Sequence, residues 1–164
     1  SNDSIEITGN ITPYSCDLSV PTATLNLGNH AATEFGTAGT ANTVGAKEFM
    51  ISVKDCTGTM KTAADPLTIQ VIETGTPNKA DALNFYGDDN GTNAGIVLSM
   101  KGGAADADGD ISPKNPTYVI YEAAKNDDDL TGKQFAIAVT AAMKAVAVPS
   151  VGALKANLQF TMVE

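Results

Sequence analysis

Apolar and polar residues alternate with period two along most of this chain, and that alternation predicts strands rather than helices. Near the start, Ile5, Ile7, Gly9 and Ile11 share one parity while Glu6, Thr8, Asn10 and Thr12 hold the other. This pattern predicts a half-buried first strand, ended by Pro13 because proline cannot donate to a ladder. Phe49, Ile51 and Val53 mark a second strand over residues 47–56, closing on Cys56, and residues 57–65 read as a turn. Leu67 to Ile72 and Gly95 to Lys101 alternate in the same way, with shorter pieces at Leu18–Val20, Leu25–Gly28 and Leu83–Tyr86. Tyr118–Tyr121 is apolar on both parities, which fits a strand buried on both faces or a short edge piece.

Two long patterns close the chain. Gln134 to Val148 alternates around Phe135, Ile137, Val139, Ala141 and Met143; its alanines also suit a helix, but parity and β-branched content favour a strand. The final run sets Leu154, Ala156, Leu158, Phe160 and Met162 against Lys155, Asn157, Gln159 and Thr161, the cleanest alternation present. Short strands separated by Gly, Pro, Asn and Thr indicate an all-β sandwich with Greek-key links. No βαβ rhythm or internal repeat interrupts them.

Composition narrows the functional classes. A chain of 164 residues is enough for one domain with a substantial core. Its net charge of −9, with all ten basic residues lysine, argues against nucleic-acid binding, which needs cations on phosphates and is helped by arginine forks. No apolar run approaches the roughly 20 residues that span a bilayer, which argues against direct membrane insertion. No signal peptide opens the sequence, so an exported form would be the processed one. Cys16 and Cys56 each adjoin a strand pattern. A bond between them would contribute about 4 kcal/mol through the unfolded chain and would imply an oxidising compartment; two buried thiols are the alternative.

Candidate chemistry is thin. Asp106, Asp108 and Asp110 alternate like calcium ligands, but Ile111 stands where the tight turn of such a loop needs glycine and Thr117 where the bidentate glutamate belongs. A solvated loop is the better reading, and Asp127-Asp128-Asp129 reads as a polar turn. His30 is the only histidine and no nucleophile-elbow sequence accompanies it. No glycine-rich phosphate loop is present. These observations predict no catalytic residues, no metal and no cofactor.

The order of features is more specific than any one of them. Ile5-x-Ile7-x-Gly9-x-Ile11 leading to Cys16 is followed by Leu25-x-Leu27-Gly28 and then Phe49-x-Ile51-x-Val53-x-Asp55-Cys56. Gly152 and the alternating Ala156, Leu158, Phe160 and Met162 close the chain. In this order the chain resembles the structural pilins of the chaperone–usher family of Gram-negative fimbriae. The resemblance implies an immunoglobulin-like sandwich lacking its final strand, with a Cys16–Cys56 disulfide. It implies a groove that accepts a strand from a periplasmic chaperone and then from the N-terminal extension of the next subunit. The expected partners are other pilin subunits, the chaperone and an outer-membrane usher, and the expected route runs through the periplasm to the cell-surface fimbrium.

On this reading the acceptor groove is walled by Ile5, Ile7 and Ile11 on the first strand and by Leu154, Ala156, Leu158, Phe160 and Met162 on the last. Phe135, Ile137 and Val139 lie beneath. The pilin domain is expected over residues 5–164, with residues 1–4 a residual segment or tag remnant too short and polar to donate a strand. Val163 stands where family members commonly carry a tyrosine. The rival reading is a pilus-tip adhesin or carbohydrate-binding domain that recognises a host ligand through the polar loops at 29–46 and 102–116.

Overall fold

The computed structural model describes residues 2–21, 24–104 and 107–163. Nine strands run in chain order: β1 (Tyr14–Ser19), β2 (Val44–Met60), β3 (Pro66–Glu73), β4 (Ala94–Gly102), β5 (Gly109–Ile111), β6 (Thr117–Glu122), β7 (Asp128–Asp129), β8 (Phe135–Ala145) and β9 (Leu158–Val163). A single 3-10 turn at Ala32–Phe35 is the one helical element among the described residues. The strands form two sheets, one ordered β1-β2-β8-β4-β5 with the short β7 beside β2, the other β6-β3-β9. The chain crosses between the sheets at β2–β3, β3–β4, β5–β6, β6–β7 and β8–β9, as a Greek-key sandwich requires. The all-β sandwich expected from the alternation is therefore present, with the Cys16–Cys56 bond.

Inward parities supply the core. Ile51 and Val53 of β2, Ile137 and Val139 of β8, and Leu67 and Ile69 of β3 are completely buried, with Met100 of β4 and Ile120 of β6 beside them. A smaller apolar cluster of Phe35, Val44, Ala94 and Ala145 closes one end of the sandwich. The disulfide depends on a register shift between β1 and β2: Ser15 stands opposite Thr57 but Asp17 opposite Lys54. The extra β2 residue is accommodated at Asp55, whose φ of 52° is left-handed. This bulge turns Cys16 and Cys56 into the core together, and both are buried.

Several sequence expectations are corrected. Residues 5–12 belong to no strand, and the first strand starts only after Pro13, at Tyr14. The Leu25–Gly28 and Leu83–Tyr86 pieces are not strands either; Leu27 packs against the core, while Tyr86 is held by an isolated bridge to Ile96. The second strand is longer than expected and runs through the anticipated turn as far as Met60. The final strand is shorter and begins at Leu158, leaving Leu154 and Ala156 outside it. Tyr118–Tyr121 is the edge piece, within β6. Gly109–Ile111 of the acidic segment is strand β5, while Asp106 lies outside the described residues.

Asp127–Asp129 is not simply a polar turn. Asp128 is buried in β7, where it accepts a short hydrogen bond from the Tyr121 hydroxyl and another from the Ala124 N–H at 2.8 Å. Those bonds hold its carboxyl below the usual carboxylate range.

Candidate functional site: an open sheet edge and an exposed apolar segment

β1 and β9 are edge strands, one in each sheet, and they face each other across one side of the sandwich. β9 is laddered to β3 along its whole length, from Glu73 opposite Leu158 to Thr68 opposite Val163. Its other edge carries no ladder among the described residues. Leu158, Phe160 and Met162 point one way and are only half-buried, although they pack against the main core. Phe160 meets Phe49 of β2 edge to face, with ring centroids 5.9 Å apart, so the two sheets touch through this aromatic pair. Leu18 of β1, together with Val20 and Leu27 beyond it, is likewise half-covered.

The opposite side of the sandwich shows what closure looks like. There the Tyr118 hydroxyl of β6 donates to the Gly102 carbonyl at 2.8 Å and accepts from the Gly102 N–H at 2.9 Å, lacing the sheets together. The β1–β9 side has the complementary character: apolar, half-exposed side chains beneath a β9 edge that carries no ladder among the described residues.

The second feature is the segment before β1. Ile5 and Ile7 are 83% and 85% exposed and Ile11 is fully exposed, so three large β-branched side chains on one parity face solvent. Expected as one wall of a groove, they stand outside any strand here. Of the remaining anticipated wall residues, Leu158, Phe160 and Met162 stand together on β9, whereas Leu154 packs on the separate end cluster and Ala156 on the main core ahead of β9. Phe135, Ile137 and Val139 do lie on one strand, with Ile137 and Val139 fully buried.

Titratable groups elsewhere serve the scaffold. His30 is in the expected loop, its Nδ1 3.1 Å from Glu34 Oε1 and its Nε2 2.7 Å from the Leu27 carbonyl. The Glu34 carboxylate and that carbonyl raise the imidazole above its ordinary value. Asp89 accepts from the N–H groups of Gly91, Lys79 and Ala80, which hold its carboxyl low. Asn78, missed by sequence reasoning, is buried and donates to the carbonyls of Gly87 and Ala94, both at 2.9 Å. Burial pushes the Tyr86 phenol up to about 12, with the Glu73 carboxylate adding to the shift. No group of three or more His, Cys, Asp or Glu among the described residues is arranged to hold a metal ion. No helix among them is long and apolar enough to cross a membrane.

A two-sheet sandwich whose β9 edge carries no further ladder among the described residues, with a buried Cys16–Cys56 pair, agrees with the sandwich and disulfide that the pilin resemblance implies. A family model for fimbrial proteins matches residues 5–163. The chain belongs to the fimbrial protein family. The P pilus rod subunit PapA shares the fold of this fimbrial protein at a TM-score of 0.54 and 15% identity, over 93% of this chain and 99% of that one. A chain from a chaperone–usher pilus structure concerned with rod uncoiling aligns at a TM-score of 0.51 and 15% identity, covering 99% and 95% of the two chains. A search of curated protein sequences returned no match. The resemblance to the chaperone–usher pilins is thus borne out, and the adhesin alternative is not favoured by these matches.

Proposed function

We propose that this fimbrial protein polymerises by donor-strand exchange, with the segment Ile5–Ile11 as the strand it gives and the β1–β9 edge as the groove that receives one. The observation that carries the reading is the pairing of two incomplete features in one chain. Ile5, Ile7 and Ile11 are exposed on one parity, while Leu158, Phe160 and Met162 are half-buried on one parity of an edge with a vacant side. Both repeat every two residues, roughly 6.7 Å along a strand, so apolar side chains of one can interleave with those of the other. Main-chain bonds to β9 would supply affinity and the alternate side chains would set register.

Gly9 falls on the same parity as the isoleucines and brings no side chain to the groove. It leaves a place where the two backbones approach closely. Within a single chain the segment stays exposed because it leads directly into β1, which is already paired with β2. A second copy therefore meets the need of the first. Before assembly a periplasmic chaperone strand would occupy the same edge, and an outer-membrane usher would mediate the exchange on the way to the cell surface.

The test is assembly itself. Purified protein incubated at high concentration is expected to form head-to-tail fibres, and the variant Ile5→Asp/Ile7→Asp/Ile11→Asp is expected to remain monomeric with an unchanged far-UV spectrum. Fibres formed equally well by that variant would overturn the assignment of the donor.

A further inference from the structure

We propose that the Asn90–Gly91 bond is a modification site: a deamidation through a succinimide, held back by the contact of Asn90 with the connection into β9 and releasing that connection once it occurs. The chemistry is independent of strand exchange. Asn90 is the only asparagine followed by glycine, and both residues are exposed. They form the middle of a tight turn in which the Thr92 N–H donates to the Asp89 carbonyl at 2.8 Å. Their φ values of 47° and 74° are both left-handed, as a type I′ turn requires. Asn-Gly is the pair such a turn favours. A Cβ at Gly91 would meet nothing within 4 Å, so glycine stands there for its φ and leaves its nitrogen unshielded.

The step is internal and needs only solvent. The Gly91 nitrogen loses its proton to hydroxide and attacks Asn90 Cγ. An N–C bond forms, the Cγ–Nδ2 bond breaks, and Nδ2 leaves as ammonia after taking a proton from water. Water then opens the imide ring at one carbonyl or the other, giving aspartate or isoaspartate. Nothing is oxidised or reduced.

The folded chain restrains both reacting groups. The Gly91 N–H donates to Asp89 Oδ1 at 2.9 Å, and a carboxylate beside that nitrogen opposes its loss of a proton. Asn90 Nδ2 donates to the Ala153 carbonyl at 2.6 Å, which holds the amide on a segment 63 residues further on. Around it the Ser150 N–H donates to the Thr92 carbonyl and the Asp88 N–H to that of Lys155, both at 2.9 Å. These bonds fix residues 150–155, the stretch just before β9 begins at Leu158. Conversion replaces the donor with a carboxylate oxygen facing the Ala153 carbonyl and adds a further acid after Asp88 and Asp89. The connection then loses its tether at Ala153. The turn that fixes the approach to β9 thus carries the residue pair whose chemistry undoes it.

Peptide mapping by mass spectrometry tests this after incubation at mildly alkaline pH, with and without guanidinium chloride. In denaturant Asn90 is expected to convert ahead of every other asparagine; in the folded protein it should convert about tenfold more slowly or less. Gly152→Ala is expected to speed conversion in the folded protein about tenfold. Its Cβ would stand 2.6 Å from Thr92 Cγ2, lifting the connection off the turn. Conversion at Asn90 no faster than elsewhere in denaturant overturns the site. Equal rates with and without denaturant, or equal folded rates for the wild type and Gly152→Ala, overturn the restraint. Asn90→Asp changes only an exposed side chain. It is expected to make the Ser150 amide exchange about tenfold faster, and unchanged exchange would overturn the release.

Discussion

The segment Ile5–Ile11 and strand β9 carry the same sequence pattern and end in opposite circumstances. Each alternates large apolar residues with small polar ones, yet the isoleucines of the first stand in solvent while Leu158, Phe160 and Met162 of the second rest on the core. The second is laddered along one edge and the first along neither. A period of two specifies a strand with one apolar face; it does not specify that the partner of that face lies in the same chain. A strand-patterned segment without a ladder and a strand laddered on one edge are the two parts that the proposed strand exchange would join.

The largest effect that sharpens this contrast concerns the joint between the two regions. Cys16 ties β1, and with it the root of the exposed segment, to β2 at Cys56. Cys16→Ser/Cys56→Ser is expected to cost about 4 kcal/mol of stability, read by chemical denaturation, with assembly lost because the segment no longer springs from a fixed point. Equal stability with and without the bond would contradict that role.

Next comes the asymmetry itself. Phe160→Ala removes a half-buried ring that touches Phe49 and should cost about 2 kcal/mol in the monomer. Ile7→Ala should stay within roughly 0.5 kcal/mol, because the side chain is 85% exposed. Both are expected to slow fibre growth. Equal monomer stabilities for the two variants would erase the distinction drawn here.

A smaller effect separates charge from strand exchange. The Glu34 carboxylate raises His30, so that contribution to loop stability is present at low pH and is lost as pH rises through the raised imidazole value. Glu34 is lowered by His30, so its contribution is lost as pH falls through the lowered carboxyl value. Order in the loop, followed by amide exchange at residues 28–35, should therefore peak in the mildly acidic window between them. Peptide affinity for the groove should stay level across that window. The smallest effect is expected for Tyr86→Phe: its hydroxyl is buried without a hydrogen-bond partner among the described residues, so its removal should leave Tm unchanged or slightly higher.

The long central strands were legible from their own alternation, whereas β5 read as a solvated loop and β7 as a polar turn. Ile51 with Val53, Ile69 with Val71, and Ile137 with Val139 announced their buried faces by parity alone, and all six are buried. The exposed segment was misread as the first strand because its alternation is as regular as theirs. A signal against that reading was present in the letters. Ile5, Ile7 and Ile11 occupy odd positions, whereas Tyr14, Cys16 and Leu18, which face the core from β1, occupy even ones. A continuous strand cannot change faces at Pro13, so the parity break marks two separate elements.

Leu154 and Ala156 extended the pattern of β9 but not the strand. The Lys155 carbonyl is instead taken by the N–H of Asp88, and Leu154 turns to the end cluster. Asp128 and Asn78 were invisible for a different reason: Asp128 is held by the Tyr121 hydroxyl and the Ala124 N–H across a turn, and Asn78 by the carbonyls of Gly87 and Ala94, and local composition carries no trace of either. The disulfide was readable as a pairing, since there are only two cysteines, but the bulge at Asp55 that aims them inward was not.

The most direct measurement is the Tm of the monomer with and without a synthetic peptide of residues 2–12. At a peptide concentration near a hundred times Kd, binding should add about 2.7 kcal/mol. In a chain of this size that amounts to a rise of roughly 5–10 °C. The same peptide with aspartate in place of Ile5, Ile7 and Ile11 should give none. No rise with the native peptide, or the same rise with both, would contradict the account.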